Sequence, residues 1–218
     1  MNLELKKRII TSLILFPILL LILVYSKIFL IIFLTVLYLL CVYEVIKNSK
    51  SFIFSIIANL FLFASFYFFY LLRGDTFESL IFLCWAIFST FLTDIGGYVF
   101  GKTFKGKKLT KVSPNKTYSG SIGSFIFSLI SIPILNYFQE LILNQILIDF
   151  FQSKYFILTL VVSLIAQIGD IFISFWKRKF NIKDTSNLLP GHGGILDRID
   201  GLIFVIFFIF LTKFLSII

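Results

Sequence analysis

The chain has 218 residues, of which 59% are hydrophobic and only 14% charged, and its mean hydropathy is +1.01. A soluble domain of this size has too little interior to hide so much apolar surface, so composition excludes a soluble globular protein and points to the membrane. The formal net charge of +9 does not signal nucleic acid, because the cations gather in loops beside apolar runs.

One helical crossing needs about 20 mostly apolar residues. Runs of that kind recur near residues 9–26, 28–47, 52–72, 79–100, 119–138, 155–176 and 199–217, with a soft boundary at Ser26-Lys27. Stretches such as LILFPILLLILV do not alternate apolar and polar positions, as barrel strands must. The expected fold is all-α: a polytopic transmembrane helical bundle of about seven spans, with six to nine admissible. Residues 1–90 then hold N-terminal, lipid-facing helices, and residues 91–218 a second membrane region with polar loops at 101–118 and 177–198, where any chemistry would sit.

Lys6, Lys7 and Arg8 precede the first span, and Lys47 and Lys50 follow the second. Lys102, Lys105, Lys107, Lys108, Lys111 and Lys116 follow the fourth, and Lys177, Arg178, Lys179, Lys183 and Arg198 the sixth. The positive-inside rule therefore predicts a cytoplasmic N-terminus and two cytoplasmic polar loops in a cell membrane. The first apolar run is long and has no small-residue cleavage site after it, so it reads as a span rather than a signal peptide. Cys41 and Cys84 lie inside spans with no CxxC spacing, which favours apolar packing over a disulfide or metal pair.

Chemistry concentrates in three places. Asp94 ends the fourth span and precedes Gly96-Gly97, a pair that lets backbones approach closely; an acid simply facing water is the bland alternative. Ser113-Pro114-Asn115-Lys116-Thr117 puts hydroxyls and a cation just before a helix, an arrangement suited to phosphate, although no P-loop spacing is present. Asp170 lies within or at the end of the sixth span, where an ionised carboxylate is expensive and usually functional. Ser174 and Lys177 follow it on one helical face, and Pro190-Gly191-His192-Gly193-Gly194 permits a reversal that can bring Asp197 and Asp200 back towards it. Two carboxylates among cations suit Mg²⁺ with phosphates, whereas a structural ion-pair network would use the same residues. His192 reads as a phosphate donor or a turn-stabilising side chain rather than a base.

The segment from Ser174 through Lys177, Arg178, Lys183, Asp184, Pro190–Gly194, Asp197 and Arg198 to Asp200 resembles the signature of the phosphatidate cytidylyltransferases, the CDP-diacylglycerol synthases. Asp94–Tyr98 with Gly101-Lys102, and the Ser113–Thr117 block, resemble two further stretches of that family, so the similarity covers roughly residues 90–205. Ser119 and Ile173 stand where many members carry Glu, and the second departure bears on the metal shell.

The resemblance implies transfer of the cytidylyl group of CTP to phosphatidic acid, with no nucleic-acid partner and a homodimeric assembly. It implies Mg²⁺ on Asp170 and Asp197, with a second cation left open. Lys177, Arg178, Arg198 and Lys183 would engage phosphates, and Ser113, Lys116 and Thr117 would add a phosphate-binding edge. Asp94, Lys102, Ser174, Asp184, His192, Gly193, Gly194 and Asp200 complete the expected substrate site. Rival readings are a CTP-dependent transferase for another lipid phosphate, a catalytically inactive scaffold and an ion-coupled transporter. The transporter would show paired repeats, and the sequence contains none.

Overall fold

The computed structural model describes residues 21–24, 26–110, 113, 116–188 and 193–215. Among them, residues 21–24 are helical and seven longer helices follow: α1 Lys27–Asn48, α2 Phe52–Arg73, α3 Phe77–Phe104, α4 Tyr118–Leu129, α5 Ser131–Leu143, α6 Ser153–Lys179 and α7 Leu196–Phe214. Hydroxyls start four of them. The side chains of Ser26, Ser51, Thr76 and Thr117 each accept a backbone N–H from the first turn of α1, α2, α3 and α4.

Among the described residues five stretches are long and apolar enough to cross a membrane: α1, α2, α3, α6, and α4 together with α5 over Tyr118–Leu143. Large apolar side chains such as Ile28 and Phe29 on α1, and Phe52, Ile53 and Leu60 on α2, point outward, which only a hydrocarbon solvent accommodates on this scale. The chain is a multi-pass membrane protein. The expected spans from 28–47 through 155–176 all coincide with helices, and 199–217 coincides with α7 as far as Phe214. The expected first span, 9–26, lies outside the described residues except for 21–24 and Ser26.

The expected span at 119–138 is two helices rather than one. Pro133 lacks the N–H that would bond the Leu129 carbonyl, and its ring crowds that carbonyl, so α4 ends at Leu129 and α5 starts at Ser131. The break is sealed by polar groups in a dry setting: Ser131 donates to the Ser128 carbonyl at 2.7 Å, and Ser89 of α3 donates to the Ser131 hydroxyl at 2.9 Å.

Small residues fix the contact between α3 and α4. A Cβ on Gly96 would overlap the Gly123 carbonyl, and one on Gly120 would come within 2.8 Å of the Gly97 carbonyl. Ser124 adds an interhelical bond, donating to the Thr93 carbonyl at 2.8 Å. In lipid, where apolar burial gives helices little reason to associate, such close backbone packing is the main source of attraction. α6 and α7 meet in the same way. A Cβ on Gly169 would lie 2.9 Å from the Asp200 carbonyl, and one on Gly201 3.1 Å from the Ala166 carbonyl.

Candidate active site

These two glycine contacts decide where the acids sit. The α6–α7 crossing places Asp200 beside Asp170, and the α3–α4 crossing brings Asp94 to the same end of the bundle. Asp94 lies within electrostatic reach of Asp170, Lys116 and Arg198, and Asp200 within reach of Asp170, Asp94 and Lys177. Asp94 is exposed at this end of the bundle, with charged groups of α6, α7 and the loop before α4 within electrostatic reach.

The loop that carries the Ser113–Thr117 residues folds back on itself. Leu109 donates to the Lys116 carbonyl at 2.8 Å, and Tyr118 to the Lys107 carbonyl at 3.1 Å. The Lys116 backbone N–H bonds the Ser113 carbonyl at 3.0 Å, and the Ser113 N–H bonds Thr110 Oγ1 at 3.1 Å. This turn delivers the Lys116 ammonium to Asp170 Oδ2 at 2.5 Å. Thr117 caps α4 through the Gly120 N–H and touches the Ser119 hydroxyl at 3.0 Å, and Ser119 in turn donates to the Lys105 carbonyl. Ser119 therefore closes the loop base. One turn into α4, Ser121 donates to Gln167 Oε1 at 2.6 Å, tying the loop's helix to α6.

Asp197 has a different environment. Its side chain is almost wholly buried; Oδ1 accepts from Lys177 Nζ at 2.7 Å, and Oδ2 accepts from the N–H groups of Thr185 and Gly194 at 2.8 and 3.0 Å. Asp170 and Asp197 are thus each neutralised by a separate lysine, Lys116 and Lys177. Ser174 adds a long contact of 3.4 Å to Asp170 Oδ1.

Glu44 completes the site and was not foreseen. It sits on α1 with no exposed surface, yet it accepts four hydrogen bonds from residues far along the chain. Thr185 Oγ1 and Ser186 Oγ donate at 2.8 and 2.5 Å, and the N–H groups of Ile195 and Leu196 at 2.9 Å each. The last two are free donors at the start of α7, so Glu44 occupies the helix N-terminus that a phosphate would otherwise favour. Asn48, one turn later, donates to the Thr185 carbonyl at 2.6 Å. The Gly193-Gly194 pair is explained by the same carboxylates. Gly193 has φ +86, and a Cβ there would lie 3.0 Å from Asp197 Oδ2, while one on Gly194 would overlap the Thr185 hydroxyl and crowd Glu44. The one sequence signal for Glu44 is a lone acid inside an apolar span.

Other expected site residues lie at the margin of this arrangement. Lys102 turns to Tyr98, donating to its hydroxyl at 3.3 Å, and Arg178 bonds the Ile182 carbonyl at 3.3 Å just past the end of α6. Lys183 and Asp184 are exposed on the loop, and Arg198 is exposed on the first turn of α7. His192, Pro190 and Gly191 lie outside the described residues, as do Pro114 and Asn115. Ile173, where relatives of the signature often carry Glu, packs into an apolar cluster with Cys41, Val45, Trp176 and Leu196. At this position the chain adds packing between α1 and α6 instead of an acid.

Known proteins resemble this chain over most of its length. Residues 47–215 match the Cytidylyltransferase family. The phosphatidate cytidylyltransferase of Staphylococcus aureus (strain COL) is 40% identical over 166 residues, which is 73% of this chain and 59% of that protein. Those of Staphylococcus haemolyticus and Rickettsia conorii are each 38% identical, over 73% and 66% of this chain and 59% and 62% of their own lengths. The chain thus spans about three fifths of the curated relatives it matches. Membrane helices, acids and cations gathered at one end of the bundle and a sequence match over most of the chain lead to one conclusion: this chain belongs to the cytidylyltransferase family.

Proposed function

We propose that the chain transfers the cytidylyl group of CTP to phosphatidic acid, giving CDP-diacylglycerol and pyrophosphate. The observation that carries this reading is the pair of lysine-neutralised carboxylates, Lys116 on Asp170 and Lys177 on Asp197, at one end of a membrane bundle. The names of the relatives supply the substrate class.

Asp170 and Asp197 offer the hard oxygen donors that Mg²⁺ takes, and a bound ion would replace the lysine ammonium now at each of them. Asp170 and Asp197 would hold the ion, and when bound it would neutralise triphosphate charge during the displacement.

The protein's own residues bind and orient the reactants. Lys116 and Lys177 can turn from carboxylate to phosphate oxygens, exchanging one anion for another without leaving the site. Arg178, Lys183 and Arg198 lie at or near the ends of the loop between α6 and α7, where a triphosphate arriving from water meets them. A phosphate oxygen of phosphatidic acid forms the new bond to the α-phosphorus, the bond from that phosphorus to the bridging oxygen breaks, and pyrophosphate leaves with the electron pair. The nucleophile is already anionic, so no general base is needed and positioning carries most of the catalysis. The diacyl chains stay in lipid while the cation-rich loops face the cytoplasm of the cell membrane, as their lysines favour.

The reading is tested by pyrophosphate release from purified protein in mixed micelles, with CTP, Mg²⁺ and a panel of lipid phosphates. Turnover restricted to phosphatidic acid supports it, and turnover only with another lipid phosphate replaces the substrate while keeping the chemistry. The homodimer implied by the family resemblance is read by the mass of the detergent-solubilised particle.

A further inference from the structure

A polar cavity of about 390 Å³ lies away from these loops. It is lined by Glu78 of α3, Asp149 of the α5–α6 loop, Lys154 and Tyr155 of α6, and Lys213 of α7, with Phe82 beside them. Three helices measure its distance from the candidate active site. Glu78 precedes Asp94, Lys154 precedes Asp170, and Lys213 follows Asp197, in each case by sixteen residues. At 1.5 Å per residue this is about 24 Å, close to the thickness of a bilayer's hydrocarbon core. The cavity is therefore at the opposite membrane interface.

Its charges are arranged unusually. Two cations and two carboxylates share one small lining, yet none of the four pairs with another. Instead Lys154 lies 5.0 Å above the Tyr155 ring and Lys213 5.6 Å above the Phe82 ring. Both acids lie within electrostatic reach of Tyr155. Asp149 spends Oδ1 on Asn136 and the Phe151 N–H, leaving Oδ2 without a hydrogen-bond partner, and Glu78 makes no side-chain hydrogen bond among the described residues.

The wall is also built in advance. Gln139 and Asn136 are buried, and they hold the α5–α6 loop by accepting the N–H groups of Leu147, Ile148 and Phe150 at 3.0 Å each. Gln139 returns a bond to the Ile148 carbonyl at 2.9 Å. Beneath the loop, Phe150 is wholly buried against Trp85. Pre-formed walls with a few fixed polar groups are what small-ligand sites have in common.

We propose that this cavity binds the headgroup of a phospholipid that carries both a phosphate and a primary ammonium. Lys154 and Lys213 would take the phosphate, Glu78 and the open oxygen of Asp149 the ammonium. A zwitterion satisfies all four charges at once, whereas a purely anionic headgroup leaves the carboxylates facing like charge. Its level at the interface favours a membrane lipid over a soluble zwitterion. The proposal does not depend on the cytidylyl-transfer reading.

The test uses the full chain in detergent, read by native mass spectrometry and by thermal unfolding. The ligands are short-chain phosphatidylethanolamine, phosphatidylcholine, phosphatidylglycerol and soluble glycerophosphoethanolamine. The expected result is retention of one phosphatidylethanolamine, with stabilisation that the other three do not match. The double variant Lys154→Gln/Lys213→Gln should bind it at least about 10-fold more weakly. Glu78→Gln, on an exposed position that tolerates the change, should erase the preference for ethanolamine over choline. Undiminished binding by the double variant overturns the site, equal binding of phosphatidylglycerol overturns the role of the carboxylates, and equal stabilisation by the soluble headgroup overturns the lipid source.

Discussion

Glu44 and Asp197 meet at a single hydroxyl: Thr185 Oγ1 lies 2.8 Å from Glu44 Oε2 and 3.0 Å from Asp197 Oδ2. A hydroxyl carries one hydrogen, so it donates to one carboxylate at a time, and the remaining donors must hold the other. Asp197 has Lys177 and two backbone N–H groups for this, and Glu44 has Ser186, Ile195 and Leu196. The contact joins α1 to the first turn of α7 through the loop between α6 and α7.

Glu44→Ala should therefore be among the most damaging changes in the protein. It strands two buried N–H groups and two hydroxyls, at a cost of roughly 3 kcal/mol or more. Glu44→Gln keeps the volume and one oxygen and should cost about half as much. Thermal unfolding in detergent measures both, and a wild-type midpoint for Glu44→Ala contradicts the anchoring role.

The two lysine–carboxylate pairs should respond differently. Lys177 and Asp197 are buried, with side-chain exposures of 13% and 4%, so Lys177→Met should destabilise by about 3 kcal/mol. Lys116 and Asp170 are partly solvated at 22% and 32%, so Lys116→Met should cost under about 1 kcal/mol while still lowering turnover strongly. Comparing unfolding midpoints with rates separates the two, and equal stability losses refute the distinction.

Gly123→Val tests the helix contact that brings α3 against α4. Its Cβ would overlap Phe100 and come within 2.7 Å of the Gly96 carbonyl, so the two helices must part and carry Asp94 away from Asp170. Activity should be lost. Ser124→Ala removes only one interhelical bond and should cost about 0.6 kcal/mol with near-normal turnover. A functional Gly123→Val protein would show that the close approach is dispensable.

Gly194→Ala tests whether the paired glycines serve the carboxylates. The new methyl would displace the Thr185 hydroxyl and press on Glu44. Turnover should fall at least about 10-fold, and Thr185→Ser, which keeps the hydroxyl, should be nearly silent. Normal activity in Gly194→Ala would return these glycines to a phosphate-binding role alone.

The bundle and the acids were legible because each carried a local signal. Asp94 beside two glycines and Asp170 inside an apolar run are costly in lipid unless grouped, and they are grouped. Glu44 had no spacing to announce it, since its partners lie 141 to 152 residues away and the contact exists only once the helices pack. The break at Ile130 was visible in Pro133 but was absorbed into a long apolar run. Nothing in a linear sequence shows that Lys213 and Lys154 share a cavity with Glu78 and Asp149.

The most direct test of the central claim follows the label of CTP. Purified protein in phosphatidic acid micelles with Mg²⁺ receives CTP labelled at either the α- or the γ-phosphorus. The account predicts that α-label passes into an organic-soluble CDP-diacylglycerol while γ-label is released as pyrophosphate, and that Asp197→Asn abolishes both. Organic-soluble γ-label without α-label, or no transfer by folded wild-type protein, would contradict it.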